Sequence, residues 1–529
     1  MKNFTLGLFF TLLIFKSFYG QRQLSWSDTI NSQGNFPEYF GDYDGNMIKL
    51  DEFKNVYTAI MSDSSGFKMI LISKIDSSGN LIWKTNYHSS ITGNDWLTSI
   101  AIDDSNDILI GGAIGFTSGS SKFLVLKYNS GGQFLWSYTA PSALIGSSCN
   151  DIKFDSNGNI FACGNYSSTS TNSYHYNIIK LDAFGNLLSS YDFNGNTGNY
   201  GYPNHLAVDD SGFVYITAQS KNFLSNSDDG ALIKLDNNLN QLWVQTYDGP
   251  LGGNDYFYDL ELDYKGFPIV TGNQNQGPQN SSVLTVKFNS SGQIVWSDNF
   301  SVQYAINGTG RAITTDDQGN CFIGAETDST NLFGYSILKY DSAGNLLMHN
   351  KFTPSSCLYS RVNDIIVLNN GNCIMFGYFS DGSISKGIIT ETSSSNLQIW
   401  ATEISSNFGD AQICSGVSDS NDNIYVTGNI QGFSNKDLLV QKYSSSITLD
   451  NIQNLISDKI KIYPNPSTLF LNVEQSDTFK NVIVLNSLSQ VVRQYNFVET
   501  KKATLNLQGL EDGIYFLIID GKPYKFIHK

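Results

Sequence analysis

An all-β fold is predicted: an eight-bladed β-propeller closed by its N-terminal strand, then a small immunoglobulin-like β-sandwich. Three observations carry this. A strand–turn–strand unit recurs every roughly 53 residues along most of the chain. The last unit lacks a strand, and the N-terminus supplies one that matches. The composition also fits: 47 glycines against 10 prolines, 13% aromatics and 15% charged residues in 529 suit many short strands and hairpins, and argue against disorder.

The repeat has two halves. The first appears eight times, as in IDDSNDILIGG (102–112), FDSNGNIFACG (154–164) and SDSNDNIYVTG (418–428). Apolar residues flank a polar turn with Asp, Asn or Gly, the pattern of a hairpin. The second half follows seven times, as in ISKIDSSGNLIW (72–83) and TVKFNSSGQIVW (285–296). The eighth copy stops at LLVQKYSSS (438–446). Its missing strand has the pattern of Arg22–Asp28, RQLSWSD, which parallels Gly292–Asp298, GQIVWSD. An open ring leaves edge strands that invite aggregation, and pairing the first strand with the last blade removes them.

Trp26, Trp83, Trp136, Trp243, Trp296 and Trp400 share one place in the outermost strand. Packing between neighbouring blades is expected there, and a sugar-stacking platform is the alternative. The Asp-x-x-Gly turns at Asp76, Asp155, Asp316 and Asp341 suit tight hairpins, whose side chains bond their own backbone. Calcium is the alternative for these oxygens, but the turns lack the alternating ligands and closing glutamate of a calcium loop. No cofactor is expected. The six cysteines show no CxxC spacing, and Cys163, Cys321 and Cys373 occupy equivalent strand positions, as buried thiols would.

Lys2, the apolar run Thr5–Phe15 and the small residues Ser17 and Gly20 read as a secretory signal over 1–20. The propeller is assigned to 21–446, a linker to 447–458 and the tail domain to 459–529. No later run approaches 18 apolar residues, so no transmembrane helix is expected after signal removal.

The repeats resemble the SBBP family of β-propeller repeats, through Asn423–Gly428, Val214–Thr217 and the Lys339–Asn345 segment. That resemblance implies the fold and little about function. The tail resembles the type A C-terminal sorting domain of the Bacteroidetes type IX secretion system. The matching residues are Tyr463, Pro464, Asn465 and Pro466, then Leu510–Tyr515 with Gly513 and Tyr515, and finally Lys525. This implies export across the outer membrane, handling by the type IX machinery, and release or surface attachment.

The formal net charge of −16 argues against nucleic acid as a partner. The five histidines form no HxH or HExxH pattern, and no nucleophile elbow or phosphate loop stands out. Strand direction alternates, so the short Asp-x-x-Gly hairpins share one face and the longer loops share the other. The expected ligand contacts lie towards the long-loop face, near the crossings into the innermost strands: Trp96, Tyr200, Tyr202, His205, Asp255, Tyr256 and Tyr258. Aromatics beside amides and carboxylates suit a glycan or a peptide. The expected function is a secreted or surface-displayed, non-enzymatic binding or adhesion module. The alternatives are a polysaccharide-degrading hydrolase or lyase, for which an acid pair such as Asp255 and Asp259 comes into question, and a structural surface-layer protein.

Overall fold

A computed structural model describes residues 22–30, 47–444 and 460–529, apart from short segments at 65–66, 90–92, 116–120, 142–145, 169–172, 195–204, 223–226, 278–279, 302–304, 330–332, 433–435, 486–490, 511 and 520–521. The signal segment and the linker therefore lie outside the described residues. Every regular element among those described is a strand.

The unit Leu24–Ser444 is a ring of eight four-stranded antiparallel sheets. Blades 1 to 7 span residues 48–87, 95–139, 148–194, 206–247, 256–300, 305–352 and 359–404. Blade 8 takes three strands from 411–444 and its outermost from Gln23–Ile30. The closure expected from the missing strand is therefore present.

The core is a circle of eight apolar clusters, each between adjacent blades. Tyr57 and Ile72 meet Ile100 and Leu126 between blades 1 and 2. The circle closes where Val56 and Leu71 of blade 1 meet Tyr425 and Leu438 of blade 8. Middle strands are apolar on both faces because each face meets a neighbour, as in the fully buried Ile108–Gly115. Outermost strands alternate, as in Ile294–Phe300.

The repeated tryptophans join consecutive blades at the rim. The Trp26, Trp83, Trp136, Trp243 and Trp296 indole N–H groups donate to carbonyls in the next blade's turn, at Ser77, Ser130, Ala183, Ser290 and Ser342, over 3.1–3.3 Å. Each indole also lies against that turn's glycine, and a Cβ on Gly79, Gly132, Gly185, Gly292 or Gly344 would come within 2.6–3.0 Å of the ring. Trp400 packs edge-on against Tyr443 of blade 8. The expected inter-blade role is met, by an indole over a glycine.

The turn aspartates bind their own hairpins. Asp76 Oδ1 accepts from the Ser78 and Asn80 N–H groups, while Asn80 Nδ2 donates to Oδ2 at 2.9 Å. Asp155, Asp316 and Asp341 repeat this. All six cysteines are buried.

The C-terminal unit holds one five-stranded hydrogen-bonded sheet. Its long strand Phe470–Leu485 slips register around Phe479, pairing Ile460–Tyr463 before the slip and Gly513–Ile519 after it, with Val491–Asn506 along the other side. Leu471, Val484, Leu505, Leu517 and Phe526 form its core. The two sorting motifs both contact the last strand, Lys522–His528. Asn465 Oδ1 accepts the Ile527 N–H at 2.8 Å, and the Ser467 N–H donates to the Ile527 carbonyl at 2.8 Å. Gly513 pairs with His528, Tyr515 stacks on Phe526, and Lys525 pairs with Phe516.

Candidate functional site

Function in a ring of sheets concentrates where the innermost strands converge. In six blades the register of that strand slips by one residue, at Thr98, Asn150, Tyr258, Arg311, Asn363 and Cys414. Such a bulge re-aims side chains. The residue four before each inner turn is Met47, Ser99, Asp151, His205, Asp259, Ala312, Asp364 or Ser415 in blade order. The residue two before it is Lys49, Lys153 or Glu261 in blades 1, 3 and 5.

The aspartates of blades 3, 5 and 7 each reach the next blade. Asp151 Oδ2 accepts the Leu206 N–H at 3.2 Å. Asp259 Oδ2 accepts the Ile313 N–H at 2.8 Å. Asp364 Oδ2 accepts from the Ser415 hydroxyl at 2.7 Å and the Gly416 N–H at 3.1 Å. An innermost strand has one unpaired edge, and these carboxylates satisfy its donors. Their remaining capacity faces charged neighbours: Lys153 lies 3.2 Å from Asp151, and His205 Nδ1 lies 3.3 Å from Asp259 Oδ1.

The electrostatics follow from this crowding. Burial, reinforced by Asp259 and opposed by Lys153, pushes Glu261 up to about 7. Burial carries Asp364 to about 6, and raises Asp259 against the pull of His205. Asp151 is buried too, yet Lys153 and His205 hold it below its ordinary value. Burial and the nearby Lys153 bring Lys49 down to about 8.

These groups wall a cavity of about 510 Å³, lined by the inner strands of blades 3 to 7. Asp151, Lys153, His205, Asp259, Glu261 and Arg311 line it, and it extends to Asp209, Asp263 and Tyr264 at the short-turn end. It offers carboxylate acceptors, cationic donors and one carboxyl that titrates near neutrality.

Of the expected contacts among the described residues, only His205 lines this cavity. Tyr258 is buried behind it, 4.8 Å from the Arg311 guanidinium. Tyr256 sits 6.2 Å from Tyr258 and receives a hydrogen bond from Asn254 Nδ2 at 2.8 Å. Trp96 packs on the cluster between blades 1 and 2, under the Lys68 ammonium at 4.2 Å. Asp255 is fully buried and clasps its loop, accepting the N–H groups of Gly249 and Asn275. Tyr200 and Tyr202 lie outside the described residues. Asp229, Asp248 and Asp255 bring carboxylate oxygens within 4.8 Å of one another, a spacing a cation can bridge.

Asp151, Lys153, Glu261, Arg311 and Asp364 were not anticipated. Their signal is positional: aligning the eight repeats puts Asp151, His205, Asp259 and Asp364 in one column four residues before the turn.

Residues 461–529 match the Secretion system C-terminal sorting domain family. This part of the chain is a type IX sorting domain. Curated protein sequences include no match to the chain. Among solved structures, the polysaccharide lyase Uly1 is 11% identical with a TM-score of 0.45, covering 78% of this chain and 93% of that one. A PL25 ulvan lyase is 10% identical with a TM-score of 0.41, covering 71% and 95%. The WD40 domain of SCAP from fission yeast is 8% identical with a TM-score of 0.42, covering 78% and 98%.

Proposed function

We propose that this protein is an exported propeller that binds a saccharide in its axial cavity without transforming it. The observation that carries the reading is the cavity of about 510 Å³ walled by charged side chains from several blades. Its volume lies within the range of small-molecule sites, roughly 300–1,000 Å³. Fixed carboxylates, a histidine and an arginine on its wall are groups that take hydrogen bonds from, and give them to, sugar hydroxyls. The sorting domain supports delivery to the cell surface or the medium.

The test is a glycan array on the whole chain, with Asp259→Asn and Glu261→Gln as controls. Expected is a defined set of bound glycans whose signal both variants weaken at least about fivefold, the loss of one charge-assisted hydrogen bond. Absence of binding, or binding indifferent to both variants, overturns the reading.

One observation favours catalysis as a second reading. Glu261, carried to about 7, has the protonation balance that general acid–base chemistry uses. Product release from a bound glycan, abolished in Glu261→Gln, would establish it.

A further inference from the structure

Arg311 differs from the other charged groups on the cavity wall. It occupies the bulge of its strand, where the register slips between Gly310 and Ala312. Its side chain is held from two sides. Nε donates to Glu326 Oε2 at 3.1 Å, and the guanidinium lies 4.8 Å over the ring of Tyr258, itself 7% exposed. No other described group takes a hydrogen bond from it, so its terminal nitrogens keep their donors. Glu326 is shared, because Arg361 Nε stands 3.8 Å from its other oxygen. That oxygen also accepts the Val362 N–H at 3.3 Å. Glu326 therefore divides its charge between two guanidiniums and neutralises Arg311 only in part.

A guanidinium fixed through Nε presents a planar fork that fits a carboxylate with two parallel hydrogen bonds. Its ordering cost has already been met by Tyr258 and Glu326, so little entropy is lost on binding. The rest of the wall sets the context. Asp151, Asp259, Glu261 and Asp364 are acceptors that call for donors, and they repel further negative charge. Sugar hydroxyls supply many donors; a peptide terminus supplies few.

We infer that Arg311 seats the carboxylate of a sugar acid, and that the axial cavity selects saccharides carrying one isolated carboxylate over neutral and polyanionic ones. This rests on the axial cavity being the saccharide site.

The experiment measures binding of D-glucuronate, its methyl ester, D-glucose and N-acetylalanine to the whole chain. Calorimetry and saturation-transfer NMR would be run on the wild type, Arg311→Gln, Arg311→Lys and Asp259→Asn. Glucuronate should bind about tenfold more tightly than the ester or glucose, the worth of a charge-assisted pair. Arg311→Gln should erase the difference, and Arg311→Lys should keep only part of it, since a point charge lacks the fork. Unchanged near-ultraviolet circular dichroism shows that the variants are folded; Arg311→Lys keeps the test open if Arg311→Gln is not. Equal binding of all three sugars, still weakened by Asp259→Asn, overturns the carboxylate seat and leaves the saccharide site standing. No binding of any sugar overturns both. Tighter binding of N-acetylalanine, lost in Arg311→Gln, moves the seat from sugar acids to peptide carboxylates.

Discussion

A tryptophan facing a glycine across two blades is a residue pair, and the exceptions show what it does. Gly344 has φ +89, and a Cβ there would lie 2.6 Å from the Trp296 ring. Gly344→Ala should cost at least about 1–2 kcal/mol from the left-handed backbone alone. Trp296→Ala should cost about 2 kcal/mol, less than for a fully buried tryptophan. Blade 3 has Ser189 in the tryptophan's register place, and the next turn then has Leu239, φ 64 and 4% exposed, where Gly79, Gly132, Gly185, Gly292 and Gly344 stand in five other blades. Leucine on one side replaces indole on the other. Each of Ser189→Trp and Leu239→Gly should therefore destabilise alone, while the double variant recovers most of the loss, with a coupling of about 1–3 kcal/mol in denaturant unfolding. Additive losses would refute the swap. Cavity carboxylates act through protons instead. The raised pKa values of Glu261, Asp259 and Asp364 mean that the folded chain holds protons the unfolded chain releases. That stabilisation is complete below the ordinary carboxylate pKa and is lost as pH rises through the folded values. Turn aspartates such as Asp76 and Asp341 have lowered values, chiefly from the Asn80 and Asn345 side chains, so their contribution is lost as pH falls. Thermal unfolding should show a declining Tm from about pH 5 to 7, and Glu261→Gln should flatten that limb; an unchanged slope would place the titration elsewhere.

Among the strands, Gln23–Ile30 has the largest consequence for its size. It covers the outer edge of Lys436–Ser444, sets Trp26 over Gly79, and is joined by a Gln441-to-Ser27 hydrogen bond of 3.2 Å. Removing residues 21–30 strips blade 8 of its last strand and breaks the Trp26 contact with blade 1. Size-exclusion chromatography should then show association through the bared edge, with a lower Tm; a monodisperse, equally stable protein would contradict closure by this strand. This closure was legible because RQLSWSD repeats a strand seen elsewhere, and a missing piece is visible only against complete copies. Blades and rim tryptophans were legible for the same reason: packing demands the same residue type at each copy. The cavity was harder to see, because its column varies from Met47 to Asp151 to His205 and no residue type recurs around the whole circle. Asp255 misled for a related reason: an acid near an inner crossing reads as a ligand contact until its two backbone donors are known. The bulge that distinguishes Arg311 depends on pairing register, which spacing alone does not reveal.

At the scale of the whole molecule, the acidity has an internal source. Asp76, Asp155, Asp182, Asp236 and Asp419 close their hairpins, each accepting two N–H groups of its own turn. A fold that needs many such turns accumulates negative charge without needing a cationic partner. The sorting domain carries its own apolar core and its own sheet. The ring closes on itself through the eighth inter-blade cluster. Each unit has its own core among the described residues, so loss of the tail should not unfold the ring. Removing residues 459–529 should leave a ring with unchanged near-ultraviolet circular dichroism and an unchanged Tm, retained within the cell envelope. The single variant Gly513→Pro probes the same step. It removes a backbone donor from the Gly513–His528 pairing and should lower export while sparing the ring. Fractionation of cells and medium with an antibody to the ring reads both. Truncated ring in the medium at wild-type levels would show that another signal directs export, and a ring that unfolds on truncation would show that the two units depend on each other.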